Sequence, residues 1–165
     1  MNRSTSKKIP LIIVCSVLVL MILYVVFQSF FGFYEVYGNS MSPALQEHEI
    51  YLVQKNVNSL ERGDIVVFYH PDEQITFIKR VIGLPNDIVE IKQNRVFVNE
   101  QAVNEPYVKK NQKIKDYKPV RVPAGNIFVL GDDVAQSYDS RDFGMVRMDW
   151  IEGKIKQVGS DDGEH

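Results

Sequence analysis

The sequence predicts a mainly β domain carried on one N-terminal membrane-spanning helix. Three observations predict it. Residues 9–34 hold no charge and are almost wholly aliphatic as far as Phe27, and about 20 such residues cross the hydrocarbon core as a helix. Short runs rich in Val, Ile, Phe and Tyr then recur between Gly, Pro and Asn breaks, the pattern of a β sandwich or barrel-like assembly of antiparallel sheets. No stretch after Tyr34 keeps a long helical apolar period.

The elements follow in order. Residues 1–8 form a basic N-terminus with Arg3, Lys7 and Lys8, and no acid precedes Glu35. Cations on the near side orient the span with its N-terminus cytoplasmic and the bulk of the chain outside a cell membrane. Residues 9–34 are the anchor, with Phe30, Phe31, Phe33 and Tyr34 as an aromatic belt at the far interface. A cleaved signal peptide has a shorter apolar core and a small-x-small site; Gln28-Ser29-Phe30-Phe31 offers none. Residues 35–158 suffice for one extracytoplasmic domain with a real core. Its expected strands are residues 50–53, 64–69, 74–82 and 127–130, with 88–91 and 95–98 as a hairpin around Lys92-Gln93-Asn94. Residues 109–121 are rich in Lys and Arg and read as an exposed loop; the other reading is contact with anionic lipid. Residues 159–165 read as a flexible polar tail.

Composition excludes several functions. All 21 acidic residues lie after Tyr34, so the outer domain lacks the basic footprint of a nucleic-acid binder. The single cysteine, Cys15, lies in the apolar run. The outer domain therefore has no internal disulfide or thiolate zinc site. His48, His70 and His165 show no metal-ligand spacing. No cofactor or metal is implied, and the sequence does not set the oligomeric state.

Three clusters could carry chemistry. Ser40 is within about 20 Å of Tyr34 along an extended chain, so it sits near the membrane surface if Tyr34 marks that surface. A serine needs a base, and neither His48 nor His70 has a setting that suggests one. In an extended residue 74–82 segment, Lys79 shares a face with Phe77 and Val81. Between such neighbours its ammonium is desolvated and its pKa falls, which makes a lysine a general base. On strand pattern alone the better fit is an edge-strand lysine that guards against aggregation, and Ser40 fits a helix cap or a turn residue before Pro43. The third cluster is the glycine-bracketed loop 131–144, in which Asp139 and Arg141 can pair and Ser137 and Ser140 offer hydroxyls.

Together the clusters resemble a known family. After the span come Gly38-Asn39-Ser40-Met41-Ser42-Pro43-Ala44-Leu45, then Arg62-Gly63-Asp64-Ile65-Val66-Val67-Phe68. Lys79-Arg80-Val81-Ile82-Gly83-Leu84-Pro85-Asn86-Asp87 follows, and then loop 131–144. In this order they are similar to the type I signal peptidases of the small, single-span bacterial kind. The resemblance implies a Ser/Lys dyad with Ser40 as nucleophile and Lys79 as general base, acting through an acyl-enzyme. It implies Ser137 as the hydroxyl that orients the amine, and Asp139–Arg141 as an ion pair behind the site with Arg80 close by. Secreted preproteins are the implied partners, cut after small-x-small (Ala-x-Ala) sites, beside the lipid bilayer. Val36, Met41, Leu45, Phe77 and Ile78 are the expected pocket walls. Gly38 lacks the hydroxyl that some members aim at the oxyanion. Asp133, Asn86 and Ala44 depart from the usual asparagine, glycine and threonine, and Asp133, if near the dyad, opposes a neutral Lys79. Two other functions stay open: a self-cleaving Ser/Lys protease of the repressor type, and a catalytically silent relative that acts as a binding partner.

Overall fold

The computed structural model describes residues 5–103 and 113–155. The tail 159–165 and residues 109–112 of the cation-rich segment lie outside them.

Helix α1 (Thr5–Phe30) is apolar on every side from Leu11 on, with a mean hydropathy of 2.8 over Leu11–Phe30, and the domain buries none of that window. By length and composition it can cross a membrane. The expected anchor extends to Tyr34, but the helix ends at Phe30. Strand β1 (Phe31–Glu35) follows at once and pairs antiparallel with β2 (Ile50–Gln54), Phe31 opposite Gln54 and Glu35 opposite Ile50. Aromatic residues favour strands, and β2 offers this segment a ladder. Gly32 is buried in that sheet and Tyr34 donates to Glu152 Oε2 at 2.9 Å, so only part of the expected aromatic belt stays outside the domain.

The other strands are β3 (Ile65–His70), β4 (Ile75–Gly83), β5 (Ile88–Lys92), β6 (Arg95–Val98), β7 (Gln101–Ala102), β8 (Tyr117–Arg121), β9 (Asn126–Leu130) and β10 (Val146–Arg147). A short 3-10 turn, Met148–Trp150, leads into β11 (Ile151–Ile155). All pairings among the described residues are antiparallel. The larger sheet runs β1-β2-β11-β3-β4-β9-β10 and the smaller β7-β6-β5-β8. The fold class read from the sequence holds.

Buried β3 shows how the layers form. Ile65 and Val67 pack with Val36, Met41, Leu45 and Val53, whereas Val66 and Phe68 pack with Val81, Ile127 and Val129. Alternate side chains thus join separate cores on the two faces. A third core, with Ile82, Val89, Ile91 and Phe128, fills the space beneath the smaller sheet. The β5–β6 hairpin turns at Gln93 and Asn94, with φ of 51° and 60°, as a two-residue hairpin loop requires. Asn86 takes φ 75°, so it serves the turn where the resemblance leads one to expect glycine.

Besides β1 and the two-residue strands β7 and β10, two longer segments differ from expectation. Tyr117–Arg121, within the expected loop, is strand β8 paired to β5. Ile151–Ile155, read as no element, joins β2 to β3 at the middle of the larger sheet. Gly153 is needed there, since a Cβ on it would lie 2.5 Å from the Gln54 carbonyl oxygen.

Candidate active site

Ser40 lies in the loop between β1 and β2. Val36 N donates to Glu49 O and His48 N to Val36 O, which closes the loop at its base. Gly38 turns the chain with φ 81° and its N–H is held by Glu47 Oε1 at 3.0 Å. Leu45 N donates to Met41 O, and Met41 and Leu45 sink into the core beneath. The carbonyl of Ser40 accepts from Asp133 N at 3.0 Å, which ties the serine to loop 131–144. Its backbone is therefore held from both sides while its side chain is half-buried.

Lys79 comes from β4, on the stretch that pairs with β3 alone among the described residues. It sits opposite Val66 of β3 and is only 4 % exposed. Its burial removes the reading as a solvent-facing lysine that guards an edge, although the strand is unpaired on that side. Its Nζ donates to Ser40 Oγ at 2.7 Å and stands 5.8 Å from the centre of the Phe77 ring. Burial pulls the Lys79 ammonium down from its ordinary 10.5 to about 8, against the opposing pull of Asp139 and Asp132 and with help from Arg141. The acid beside Asp133, Asp132, is one of the two that favour the ammonium.

Each acid near the amine has its own arginine. Arg80, 1 % exposed, donates from Nε and Nη2 to the two oxygens of Asp132 at 2.8 and 2.7 Å, and from Nη1 to Gly63 O at 2.7 Å. Arg141 grips Asp139 through Nε and Nη2 at 2.8 and 2.9 Å and holds Val134 O and Ser137 O. Two carboxylates and two guanidiniums nearly cancel. Desolvation then governs Lys79, and the amine is neutral often enough to take a proton from the hydroxyl beside it. The expected Asp139–Arg141 pair is present. Asp132 as the partner of Arg80 was not anticipated; two adjacent acids look alike in sequence, and only the bend of the loop selects one.

Ser137 Oγ is buried without a hydrogen-bond partner among the described residues. It crowds Gly131, where an added Cβ would lie 2.3 Å from that oxygen and 2.6 Å from Ser40 O. Glycine at 131 therefore lets the two loops touch.

An open cleft of about 390 Å³ lies over the pair, lined by Val36, Met41, Phe77 and Ile78 together with Tyr37 and Tyr138. Four of the expected pocket residues meet there. Leu45 does not; it packs beneath Met41. Tyr138, not anticipated, donates to Glu73 Oε1 at 2.8 Å across the cleft rim. Among the described residues, β9 pairs with β4 only from Arg80 onward, so Ile75 to Lys79 present an unpaired backbone edge to the cleft. A larger cavity, about 680 Å³, lies behind loop 131–144 against β8, and neither Ser40 nor Lys79 lines it. His70 packs among Phe77, Phe143 and Trp150, and exposed His48 faces Glu35, so neither histidine reaches Ser40. No cluster among the described residues could hold a metal ion.

Comparison with known proteins agrees. Residues 9–159 match the model of the family described as signal peptidase, peptidase S26. The chain is 37% identical over 160 residues to signal peptidase I T of Bacillus subtilis (strain 168), covering 89% of this chain and 81% of that one. It is 36% identical over 158 residues to signal peptidase I of Bacillus licheniformis, covering 85% and 83%. A crystal structure of a signal peptidase I from Enterococcus faecalis V583 superposes with a TM-score of 0.55 at 30% identity, over 61% of this chain and 100% of that one.

Proposed function

The chain belongs to the signal peptidase family, peptidase S26, a serine peptidase that cleaves signal peptides from preproteins, and from that premise we propose that Ser40 and Lys79 are its catalytic dyad. The observation that carries this reading is the 2.7 Å approach of Lys79 Nζ to Ser40 Oγ at a lysine 4 % exposed. Neutral Lys79 takes the Ser40 proton as Oγ attacks the scissile carbonyl. The backbone N–H of Ser40 donates to the oxyanion. The Lys79 ammonium then protonates the leaving amine, and an acyl-enzyme remains. Lys79 next takes a proton from water, hydroxide attacks the ester, and the proton returns to Ser40. Ser137, with its hydroxyl unpartnered, holds the amine in line once substrate dries the cleft.

The substrate lies extended along the free edge of β4, as an added strand. Val36, Met41, Phe77 and Ile78 leave room for small side chains, which selects Ala-x-Ala sites. Helix α1 anchors the enzyme in the cell membrane, with residues 1–8 inside and the domain outside, by the placement of Arg3, Lys7 and Lys8. The repressor-type and silent alternatives are not favoured, since the relatives are named signal peptidases.

The test is cleavage of an Ala-x-Ala preprotein by the full chain in liposomes, beside Ser40→Ala and Lys79→Ala. Both variants lose activity while folding normally. Equal cleavage by either would sink the dyad.

A further inference from the structure

No linker separates α1 from the sheet: the helix ends at Phe30 and β1 begins at Phe31. Helix C-termini leave carbonyls without intrahelical partners and favour a nearby cation. The last turn of α1 has no basic residue. Lys55, next after β2, supplies both needs from outside. Its backbone N–H donates to Phe30 O at 2.8 Å and its Nζ donates to Gln28 O at 3.0 Å. Gly32 of β1 lies beneath the lysine stem, and a Cβ there would stand 3.0 Å from Lys55 Cε. Phe27 stacks on Phe31 with centroids 5.1 Å apart and leans toward Phe33 at 6.3 Å. Helix and sheet are thus joined by two hydrogen bonds, a close backbone approach and an aromatic cluster.

The joint bears on Ser40, because Ser40 sits on the loop that connects the same two strands. The direction of α1 passes to the serine through β1 and β2 and not through slack chain. On a water-exposed surface a bond from lysine adds little. At the edge of the hydrocarbon a helix carbonyl has no water to turn to, so the same bond counts for more. A cation also settles at headgroup depth.

We propose that Lys55 is a positioning residue that fixes the height and tilt of Ser40 relative to the bilayer by latching the end of α1 to β2. The proposal rests on the peptidase reading and on α1 as the anchor. A preprotein inserted in the same bilayer presents its cut at a set height. A soluble peptide does not. The latch therefore matters for the first substrate alone.

The experiment uses the full chain in proteoliposomes of shorter and longer acyl chains, as wild type, Lys55→Met and Lys55→Arg. Each is offered a soluble Ala-x-Ala peptide and a membrane-inserted preprotein. For Lys55→Met, kcat/KM on the peptide stays within about twofold, while preprotein processing falls about tenfold. Its dependence on acyl-chain length flattens, and Lys55→Arg restores both. Unchanged preprotein processing overturns the proposal. So does an equal loss on both substrates, which marks a merely structural role. A wild type inert toward the peptide overturns the peptidase reading, and the proposal with it.

Discussion

Titrating the lysine is the sharpest test of the site. Burial brings Lys79 from 10.5 to about 8. At pH 7 roughly one amine in ten is then neutral, against about one in 3,000 for an ordinary lysine. The competent form gains about 300-fold, equivalent to roughly 3 kcal/mol. The sign follows from the role: a base works deprotonated, so acid removes activity. The assay is kcat/KM of the full chain in detergent on an Ala-x-Ala peptide, from about pH 6 to about pH 10, where the free enzyme sets the limb. The rate falls tenfold per unit below about pH 8 and levels off above it. A limb centred near 10.5, or activity that holds flat to about pH 6, refutes the reasoning.

Three further predictions concern the same neighbourhood. Because the folded pKa of Lys79 is depressed, its burial penalty is full below about pH 8 and fades as pH rises toward 10.5; Lys79→Met raises the melting temperature by several degrees at pH 7, by up to about 3 kcal/mol, with a shrinking gain at alkaline pH, and identical melts at pH 7 would count against it. Arg80→Met strands buried Asp132 and lowers stability by about 3–5 kcal/mol in denaturant titrations, whereas Arg80→Met with Asp132→Leu recovers most of it; a double variant no better than the single disproves the pairing. Gly131→Ala drives a methyl into Ser137 and the Ser40 carbonyl, so kcat drops by about 100-fold while circular dichroism keeps its β signature; wild-type rates would show that the two loops do not touch.

The parts legible in the sequence were those where one chemical preference dominated. Val66, Val67 and Phe68 could only be a buried strand, and alternation along residues 74–82 set Lys79 beside Phe77 before any geometry was known. Gln93 and Asn94 announced their hairpin. Where two preferences compete, the sequence is silent. Phe31 to Tyr34 are apolar enough for a membrane and aromatic enough for a strand, and the partner β2 decides. Tyr117–Arg121 carries lysine and arginine, and among the described residues β8 pairs on one side only, so an edge strand looks like a loop. Ile151–Ile155 is masked by Gly153, present for the passage of the Gln54 backbone. Asp132 and Asp133 are both buried, and the bend of the loop brings the carboxylate of Asp132 onto Nε and Nη2 of Arg80. Lys55 lies far in sequence from the helix it holds, and nothing local marks it.

If substrate binds along the open edge of β4, as proposed, timing in the cell is affected. An edge that accepts one strand accepts a chain only while that chain is unfolded around the cut. Once a secreted protein has drawn its first residues into its own sheets or helices, no extended segment remains to lie beside Ile75 to Lys79. Removal of the signal peptide is therefore a race against folding of the cargo, and the outcome depends on how long the cargo's N-terminal residues stay slack after they leave the membrane. Fast-folding cargo is cut only if its first residues are the last to be recruited.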